Sequence, residues 1–304
     1  MSSSAKGSDD EGFGAVFEEP EGFRPATPPP TVRNYKRRKY GGVGELIGPE
    51  KVEVGLVSGH PLWGHILYPA AIALSQFLEL HASSLLHGLD GKGKGRGKAV
   101  LELGAGGGLP GLTAALEGAG TVVISDFPDA ALVKNIGQNV ETNIAALNSD
   151  FVAETSAKGF TWGSPPDSLL EVLGGPFGSR KFDLILLSDL VFNHSQHAAL
   201  LNTCLSCLST ASPQPLLRSQ STEAPPCDLS DRSTLSSPAV LCFFSHHRPW
   251  LVEADLAILD LAREKGWKVT KVWEDPEAGP AFPEDGGDLA IRSTVHGWMF
   301  TRGK

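Results

Sequence analysis

The chain has 304 residues, 41% of them hydrophobic and 20% charged, with a formal net charge of −9. This length and apolar fraction exclude a disulfide-stapled mini-protein and a fully disordered chain, and they fit one large domain with tails or two small domains. The acidic balance argues against a broad nucleic-acid-binding surface, which is usually basic.

Cysteine usage and the first residues bear on the cellular compartment. Four cysteines at irregular spacing do not form a secreted disulfide framework. The N-terminal residues lack the apolar stretch of a signal peptide, and no run approaches the about 18 apolar residues of a membrane span. We therefore expect a cytoplasmic protein without a membrane partner.

Three segments are predicted to be flexible. Residues 1–45 combine acidic, proline-rich and basic stretches, which favour a solvated tail over a lid or substrate-contacting arm. Its basic run, 33–39, is expected to be solvated rather than bound to RNA. Residues 88–98 alternate glycine with basic residues, and residues 209–238 are rich in Ser, Thr and Pro without an apolar period. The remainder, 46–304, is predicted to be one domain with these two insertions.

Between these breaks, apolar strands alternate with helices. The predicted elements are a helix over 70–86, a strand over 99–103, a helix over 109–116, a strand over 121–125, a helix over 130–143, a strand over 182–187, a helix over 196–208, a strand over 239–244, a helix over 251–265, and strands over 267–273 and 294–301. This pattern predicts a doubly wound α/β fold with a mostly parallel sheet. The last two strands have no long helix between them, so we expect them to pair antiparallel at one edge.

A glycine-rich turn follows the first of these strands, in the run Glu102-Leu-Gly-Ala-Gly-Gly-Gly-Leu-Pro-Gly111. Glycines there let the backbone approach a ligand closely and leave N–H groups free at the start of a helix. Asp126 ends the next strand, where a carboxylate can accept hydrogen bonds from both ribose hydroxyls of an adenosine. The turn therefore predicts a ligand that contains a nucleoside.

Two cofactors compete for this turn. The third glycine of the dinucleotide pattern G-x-G-x-x-G would fall at Leu109, where it is absent. Glu102 lies two positions before the first glycine, and a carboxylate there suits a ligand that has no pyrophosphate and carries a positive charge. S-adenosylmethionine has both properties, so we expect it rather than a dinucleotide or a turn that binds nothing.

The run from Glu102 to Gly111 followed by Asp126 resembles the first two motifs of the class I, seven-stranded S-adenosylmethionine-dependent methyltransferases. Further segments resemble one branch of these, the fungal protein N-methyltransferases of translation elongation factor 1-alpha, formerly labelled nicotinamide N-methyltransferase-like. Those segments are Phe17–Phe23, Gly59–Gly64, Phe160–Gly163 and Leu187–His194. The resemblance implies a Rossmann-like seven-stranded sheet with an antiparallel edge strand. It also implies methylation of the N-terminal glycine and a nearby lysine of that factor.

The resemblance also implies a set of cofactor-binding residues. They are Trp63, Glu102, Gly104, Ala105, Gly106, Asp126, Trp162 and Ser188. Trp162 is expected to stack on the adenine and Trp63 to close over the cofactor. The alternative for either tryptophan is a core aromatic that only packs.

Asp189, Phe192 and Asn193 are the implied catalytic, substrate-facing residues. Related lysine methyltransferases carry Asp-x-x-Tyr here, whereas this chain has Phe192 without the hydroxyl, which puts a tyrosine-assisted mechanism in doubt. Phe192 is expected to form an apolar or cation–π wall, and Asn193 to orient an amine. The alternative for Asp189 is that it caps and orients its loop.

The two target amines differ in their need for a base. An α-amine with a pKa of about 7.7–8.0 is about a tenth to a fifth neutral at pH 7, whereas a lysine with a pKa of about 10.4 is only about 0.04% neutral. No residue stands out as a strong base. His246 and His247 follow a strand near the ligand-binding edge of the sheet and are expected to be solvated loop histidines, with a place beside the substrate channel as the alternative. Cys204 and Cys207 are expected to be buried thiols on one helix, so no metal site is predicted.

The sequence thus predicts an S-adenosylmethionine-dependent enzyme that methylates the N-terminal glycine and a lysine of elongation factor 1-alpha. We expect a monomer without a direct nucleic-acid partner. The alternatives are a small-molecule N-methyltransferase acting on a pyridine such as nicotinamide, and a non-catalytic module that binds the cofactor.

Overall fold

A seven-stranded sheet forms the centre of the molecule in the computed structural model, with helices on both faces. The structure describes residues 30–38, 48–58, 65–87, 97–145, 147, 153–174, 180–215, 224–230 and 235–303. The strands are β1 (Thr31–Lys36), β2 (Lys51–Leu56), β3 (Ala99–Leu103), β4 (Thr121–Asp126), β5 (Glu154–Gly159), β6 (Leu184–Ser188), β7 (Gln214–Pro215), β8 (Ser236–Ser237), β9 (Ala239–Ser245), β10 (Trp267–Asp275) and β11 (Val295–Arg302). The helices are α1 (Pro69–Leu80), α2 (Ala82–Leu85), α3 (Leu109–Leu116), α4 (Ala130–Val140), α5 (Asp167–Leu170), α6 (His197–Cys207), α7 (Val252–Glu264) and α8 (Leu289–Ser293).

The strand order of the central sheet is β10-β11-β9-β6-β3-β4-β5. Strands β9, β6, β3, β4 and β5 pair in parallel, and β11 runs antiparallel between β9 and β10. This topology confirms the predicted doubly wound α/β fold and the antiparallel pairing of the last two strands. The chain proceeds outward from β3 to β5 and then returns to β6 on the other side of β3. In open α/β sheets, ligands bind at the carboxyl ends of the strands beside such a switch point.

Both faces of the parallel strands β3, β4, β6 and β9 are buried. In β3, Val100 belongs to the core that contains α1 and α3, whereas Leu101 belongs to the core that contains α6 and α7. Successive side chains of a strand point to opposite faces, so a strand between two helix layers needs apolar residues at every position. This explains the unbroken apolar runs from which the parallel strands were predicted.

The predicted boundaries agree with most helices and strands. Helix α3 has the predicted bounds, whereas the helix predicted over 70–86 is divided at His81 into α1 and α2. The helix predicted over 130–143 ends as a π turn over Glu141–Ala145. Strand β5 is not among the predicted elements, and none of its residues is buried. Strand β2 was also missed, although its alternation of buried and more exposed residues is the period-2 signal of a half-buried strand.

The prediction of a flexible tail over 1–45 is wrong for residues 31–37. Strand β1 pairs antiparallel with β2, and the Tyr35 hydroxyl donates a hydrogen bond of 2.9 Å to Oε2 of Glu79 on α1. Arg37, predicted to be solvated, is 3% exposed. Its Nη2 lies 2.6 Å from Oε1 of Glu117 and 3.3 Å from the carbonyl oxygen of Leu116. The charge of Arg37 therefore neutralises the end of α3. Residues 1–29 and 39–47 lie outside the described residues.

Three asparagines attach the β1–β2 hairpin to α4 and to the π turn that follows it. Asn135, Asn139 and Asn143 lie four residues apart, and their side-chain amides bond the main chain of β2 at Gly55 and Glu53. They occupy hydrogen-bonding groups that an edge strand would otherwise present to solvent. Asn139 Nδ2 also donates to the carbonyl oxygen of Gly107, at 2.9 Å. The hairpin is thereby connected to the glycine turn.

The insertion predicted to be flexible over 209–238 is structured in its described parts. Strands β7 and β8 pair antiparallel. Oδ2 of Asp228 lies 3.3 Å from Nε2 of the buried His81, and the Ser230 hydroxyl donates to Oδ1 of Asp228 at 2.7 Å. These bonds fix the insertion to the end of α1. Of the other predicted insertion, 88–98, only the last two residues are described. Within the described residues, no helix is long and apolar enough to span a membrane.

Replacement of Arg37 by glutamine tests whether this first segment is part of the folded domain. We expect Arg37→Gln to lower the free energy of unfolding by about 2–4 kcal/mol, because it leaves the Glu117 carboxylate and two carbonyl groups without their partner. The matched control is Arg33→Gln, an exposed position on the same hairpin, with an expected change below about 0.5 kcal/mol. Urea unfolding measures both, and equal losses would contradict the docking of this segment.

Candidate active site

A cavity of about 710 Å³ opens at the carboxyl ends of β3, β4, β5 and β6, at the switch point of the sheet. Its volume lies within the range of about 300–1,000 Å³ that is typical of small-molecule sites. Predicted cofactor-binding residues that line it are Gly104, Ala105, Gly106, Asp126, Trp162 and Ser188. The three predicted substrate-facing residues, Asp189, Phe192 and Asn193, line the same cavity. Trp63 lies outside the described residues.

The glycine turn forms the floor of this cavity. Gly104 and Gly106 have left-handed φ values of +62° and +55°, which favour glycine because they strain other residues. A Cβ at Gly104 would lie 2.6 Å from Cδ2 of Leu190 and 3.0 Å from Cζ2 of Trp162. The absence of a side chain at Gly104 therefore lets Leu190 and Trp162 pack against the turn.

Asp126 is held against the turn by its own carboxylate. Its Oδ2 accepts a hydrogen bond of 2.7 Å from the Gly106 N–H, and its Oδ1 accepts one of 2.6 Å from the Phe127 N–H. The side chain is half-buried and lines the cavity. This arrangement presents a carboxylate beside the turn, where the hydroxyls of a ribose can be bound.

Glu102 does not line the cavity, unlike the other described residues of the predicted cofactor set. It is fully buried, and its Oε2 accepts a hydrogen bond of 2.8 Å from the Gly111 N–H at the start of α3. Burial raises the pKa of Glu102 to about 8, the Gly111 bond opposes this shift, and the charge of Asp126 adds to it. Glu102 thus supports the turn from behind.

The opposite wall of the cavity comes from the segments that follow β5 and β6. Trp162 is half-buried after β5, and the Phe192 side chain is 42% exposed at the rim. Asp189 has a left-handed φ of +59°, uncommon for a residue with a side chain, and is 3% exposed. Its N–H donates to the Phe243 carbonyl oxygen at 2.8 Å. The chain is therefore fixed in a sharp turn directly after β6.

The prediction of solvated loop histidines at 246 and 247 is wrong. His246 is buried, and its Nδ1 lies 2.8 Å from Oδ2 of Asp255. The His247 side chain is 12% exposed, and its Nε2 lies 3.0 Å from Oδ2 of Asp189. Their partners lie on other elements, and the sequence shows only that two histidines follow a strand. Cys204 and Cys207 are buried thiols, as predicted.

Replacement of Glu102 by glutamine tests the state of this buried carboxyl. A group with a pKa raised by folding stabilises the protein below its unfolded pKa of about 4.3, and this contribution is lost as the pH rises towards its folded pKa. The free energy of unfolding should therefore fall between about pH 5 and about pH 8. In Glu102→Gln, the free energy of unfolding should fall less over this pH range than in the wild type. The difference should be at most about 4 kcal/mol, because each of the about three pH units contributes about 1.4 kcal/mol. Denaturant titrations of the variant and of the exposed control Glu264→Gln measure the difference. Identical slopes would contradict the raised pKa.

Residues 58–223 match the model of a family described as lysine methyltransferase. The chain is 37% identical to protein N-terminal and lysine N-methyltransferase efm7 of Schizosaccharomyces pombe, over 96% of each chain. It is 40% identical to protein N-terminal and lysine N-methyltransferase EFM7 of Cryptococcus neoformans, over 81% of this chain and 74% of the relative. A solved O-methyltransferase family protein from Burkholderia thailandensis shares 11% identity over 78% of this chain and 56% of that one, with a TM-score of 0.42. The family match and the identity over nearly the whole length show that the chain belongs to the lysine methyltransferase family.

Proposed function

We propose that this protein transfers a methyl group from S-adenosylmethionine to the N-terminal α-amine and a nearby lysine of translation elongation factor 1-alpha. The observation that carries the proposal is that the glycine turn with Asp126 lines the same 710 Å³ cavity as Asp189, Phe192 and Asn193. The named relatives are protein N-terminal and lysine N-methyltransferases, which supports a protein amine as the target. The choice of elongation factor 1-alpha rests on the family resemblance described above, and the proposed cytoplasmic location rests on the cysteine usage of the chain.

The residues of the cavity fit S-adenosylmethionine. A side chain at Gly104 would collide with Leu190 and Trp162, and Gly106 lines the cavity beside Asp126. Asp126 would accept hydrogen bonds from the ribose hydroxyls, and the half-buried ring of Trp162 would cover the adenine. Burial keeps Glu102 predominantly protonated at pH 7, so Asp126 supplies the negative charge at the turn. A cationic cofactor without phosphate suits that single charge.

Once the cofactor is bound, the chain must bind the target protein and align its amine with the methyl group. S-adenosylmethionine supplies a methyl group on a positively charged sulfur, which a neutral amine can attack. Phe192 and Asn193 lie at the rim, where an entering amine would pass, and they would align its nitrogen for an in-line displacement, mainly a matter of proximity. Phe127 and Phe192 are the exposed aromatic residues of this rim. Exposed aromatic side chains around a cleft are typical of surfaces that bind proteins.

Mass spectrometry of elongation factor 1-alpha incubated with this protein and S-adenosylmethionine tests the reaction and the substrate together. We expect a series of 14-Da additions on the N-terminal peptide and on a nearby lysine, because each transferred methyl group replaces one hydrogen. Nicotinamide is assayed in parallel without any protein substrate. Methylation of nicotinamide alone, or cofactor binding without any transfer, would contradict the proposal.

Asp126→Ala tests the assignment of the cofactor site. We expect loss of measurable S-adenosylmethionine binding in calorimetry, since the carboxylate both binds the ribose and holds the Gly106 N–H. The matched control is Asp260→Ala, an exposed carboxylate on α7 that is paired with Arg263, and its affinity should equal that of the wild type. Near-normal affinity in Asp126→Ala would remove the ribose assignment.

A further inference from the structure

A second cavity, of about 260 Å³, adjoins the one described above. Tyr68 and Phe192 line both cavities, so the two share a wall. Its volume is below the range of about 300–1,000 Å³ that is typical of sites for whole small molecules. The second cavity therefore suits a single side chain or a chain terminus and is too small for a nucleoside cofactor.

The walls of the second cavity combine aromatic rings with carboxylates. The rings of Tyr68, His247 and Phe282 pack on one another, with centroid separations of 5.7, 6.2 and 5.5 Å. Asp255 and Asp285 also line the cavity. Aromatic faces and carboxylates together favour a cationic group such as an ammonium.

A histidine–aspartate pair connects the two cavities. His247 lines the second cavity, and Asp189 lines the first. Nε2 of His247 lies 3.0 Å from Oδ2 of Asp189, so the pair is in contact between the two cavities. The Asp189 carboxylate also accepts a hydrogen bond from the Ser245 N–H, at 3.4 Å. With the Nε2–H donating to Asp189, the neutral imidazole of His247 keeps its lone pair on Nδ1.

We propose that the target amine is held where the two cavities adjoin, and that His247, oriented by Asp189, accepts the proton that its ammonium must lose before methyl transfer. This inference rests on the proposed function, since it assigns the amine side of that same reaction. It gives a role to Asp189 as a positioning residue and adds His247 as the catalytic residue. The rate at which the α-amine or the lysine is methylated is then no longer limited by the small fraction of each that is neutral in solution.

The proton and electron balance of this step is complete within the two cavities. The N–H bond of the ammonium breaks, its electron pair stays on nitrogen, and the proton moves to Nδ1 of His247. The nitrogen then bonds to the methyl carbon as the carbon–sulfur bond breaks with its electron pair retained by sulfur. His247 afterwards releases its proton to solvent, because its side chain remains 12% exposed.

The charges around His247 support this role. Burial alone lowers the pKa of His247, but the charge of Asp189 and its hydrogen bond outweigh burial and raise the pKa above its ordinary value, with Asp255 adding to the rise and Arg292 opposing it. Burial and the charge of Asp189 raise the pKa of Tyr68 far above its usual range, so its phenol stays neutral. Further titratable or charged groups that line the cavity are His194, Arg248 and Asp285.

His247→Gln tests the proposal, because the two target amines need a base to different degrees. At pH 7 the neutral fractions of an α-amine and a lysine differ by about 300-fold. General-base catalysis contributes about 10²–10⁴-fold. We therefore expect methylation of the lysine at pH 7 to fall by about 100-fold or more and that of the α-amine by about 10-fold. Both should recover as the pH is raised to about 9, the lysine more steeply.

The matched control is His87→Gln, which lies in neither cavity and should leave both rates and their pH profiles unchanged. A ratio of lysine to α-amine methylation that is the same in His247→Gln as in the wild type would overturn the inference and leave the proposed function standing. If the wild type methylates neither amine while it binds the cofactor, both fail. A folding defect would lower both rates alike and cannot produce the expected change in ratio.

A second measurement is independent of turnover. Nuclear magnetic resonance titration of the His247 ring protons, identified by their absence in His247→Gln, should give a pKa above about 6.5 in the wild type. A peptide of the elongation factor N-terminus with a free α-amine should shift this titration. The same peptide with an acetylated N-terminus should not. Equal responses to both peptides would place the amine elsewhere and overturn the proposal.

Discussion

The site depends on one constraint. The main chain of the glycine turn must border the cavity without intervening side chains, while its polar groups on the other side are buried in the protein. Three side chains from different elements maintain it. Glu102 of β3 accepts from the Gly111 N–H, Asp126 of β4 accepts from the Gly106 N–H, and Asn139 of α4 donates to the Gly107 carbonyl oxygen. Without these bonds, the buried groups would lose their partners at a cost of about 1–3 kcal/mol each.

The same constraint explains why the first described segment belongs to the domain. A Cβ at Gly107 would lie 2.4 Å from Cγ1 of Val54, so β2 packs directly on the turn. Asn139 bonds both β2 and the turn, and Arg37 connects the end of β1 to the end of α3. The helix that begins at the glycine turn is therefore fixed at both ends, at its start by Glu102 and at its end by Arg37.

Much of this arrangement is evident from local sequence, and the remainder depends on distant pairs. Helix α3, the parallel strands and the meeting of Asp126, Trp162 and Ser188 at one edge follow from periodicity and from the rule for parallel strand ends. The burial of Arg37 could not be predicted, because its partner Glu117 is 80 residues away on another element. The position of Glu102 behind the turn could not be predicted for a related reason. A carboxyl beside a glycine motif has the same sequence signature whether it faces the ligand or supports the turn.

His247 shows how the fold can supply what a motif lacks. The resemblance described above implies a tyrosine hydroxyl after β6, and this chain has Phe192 instead, so that position carries no hydroxyl. Strand β9 lies next to β6 in parallel register, so the two strands end at the same edge of the sheet. The residue that follows β9 by two positions thus reaches Asp189, which directly follows β6. An ionisable group is restored at the amine side from a position 58 residues away. Its imidazole titrates much closer to neutrality than a tyrosine, which suits it better to remove a proton from an ammonium.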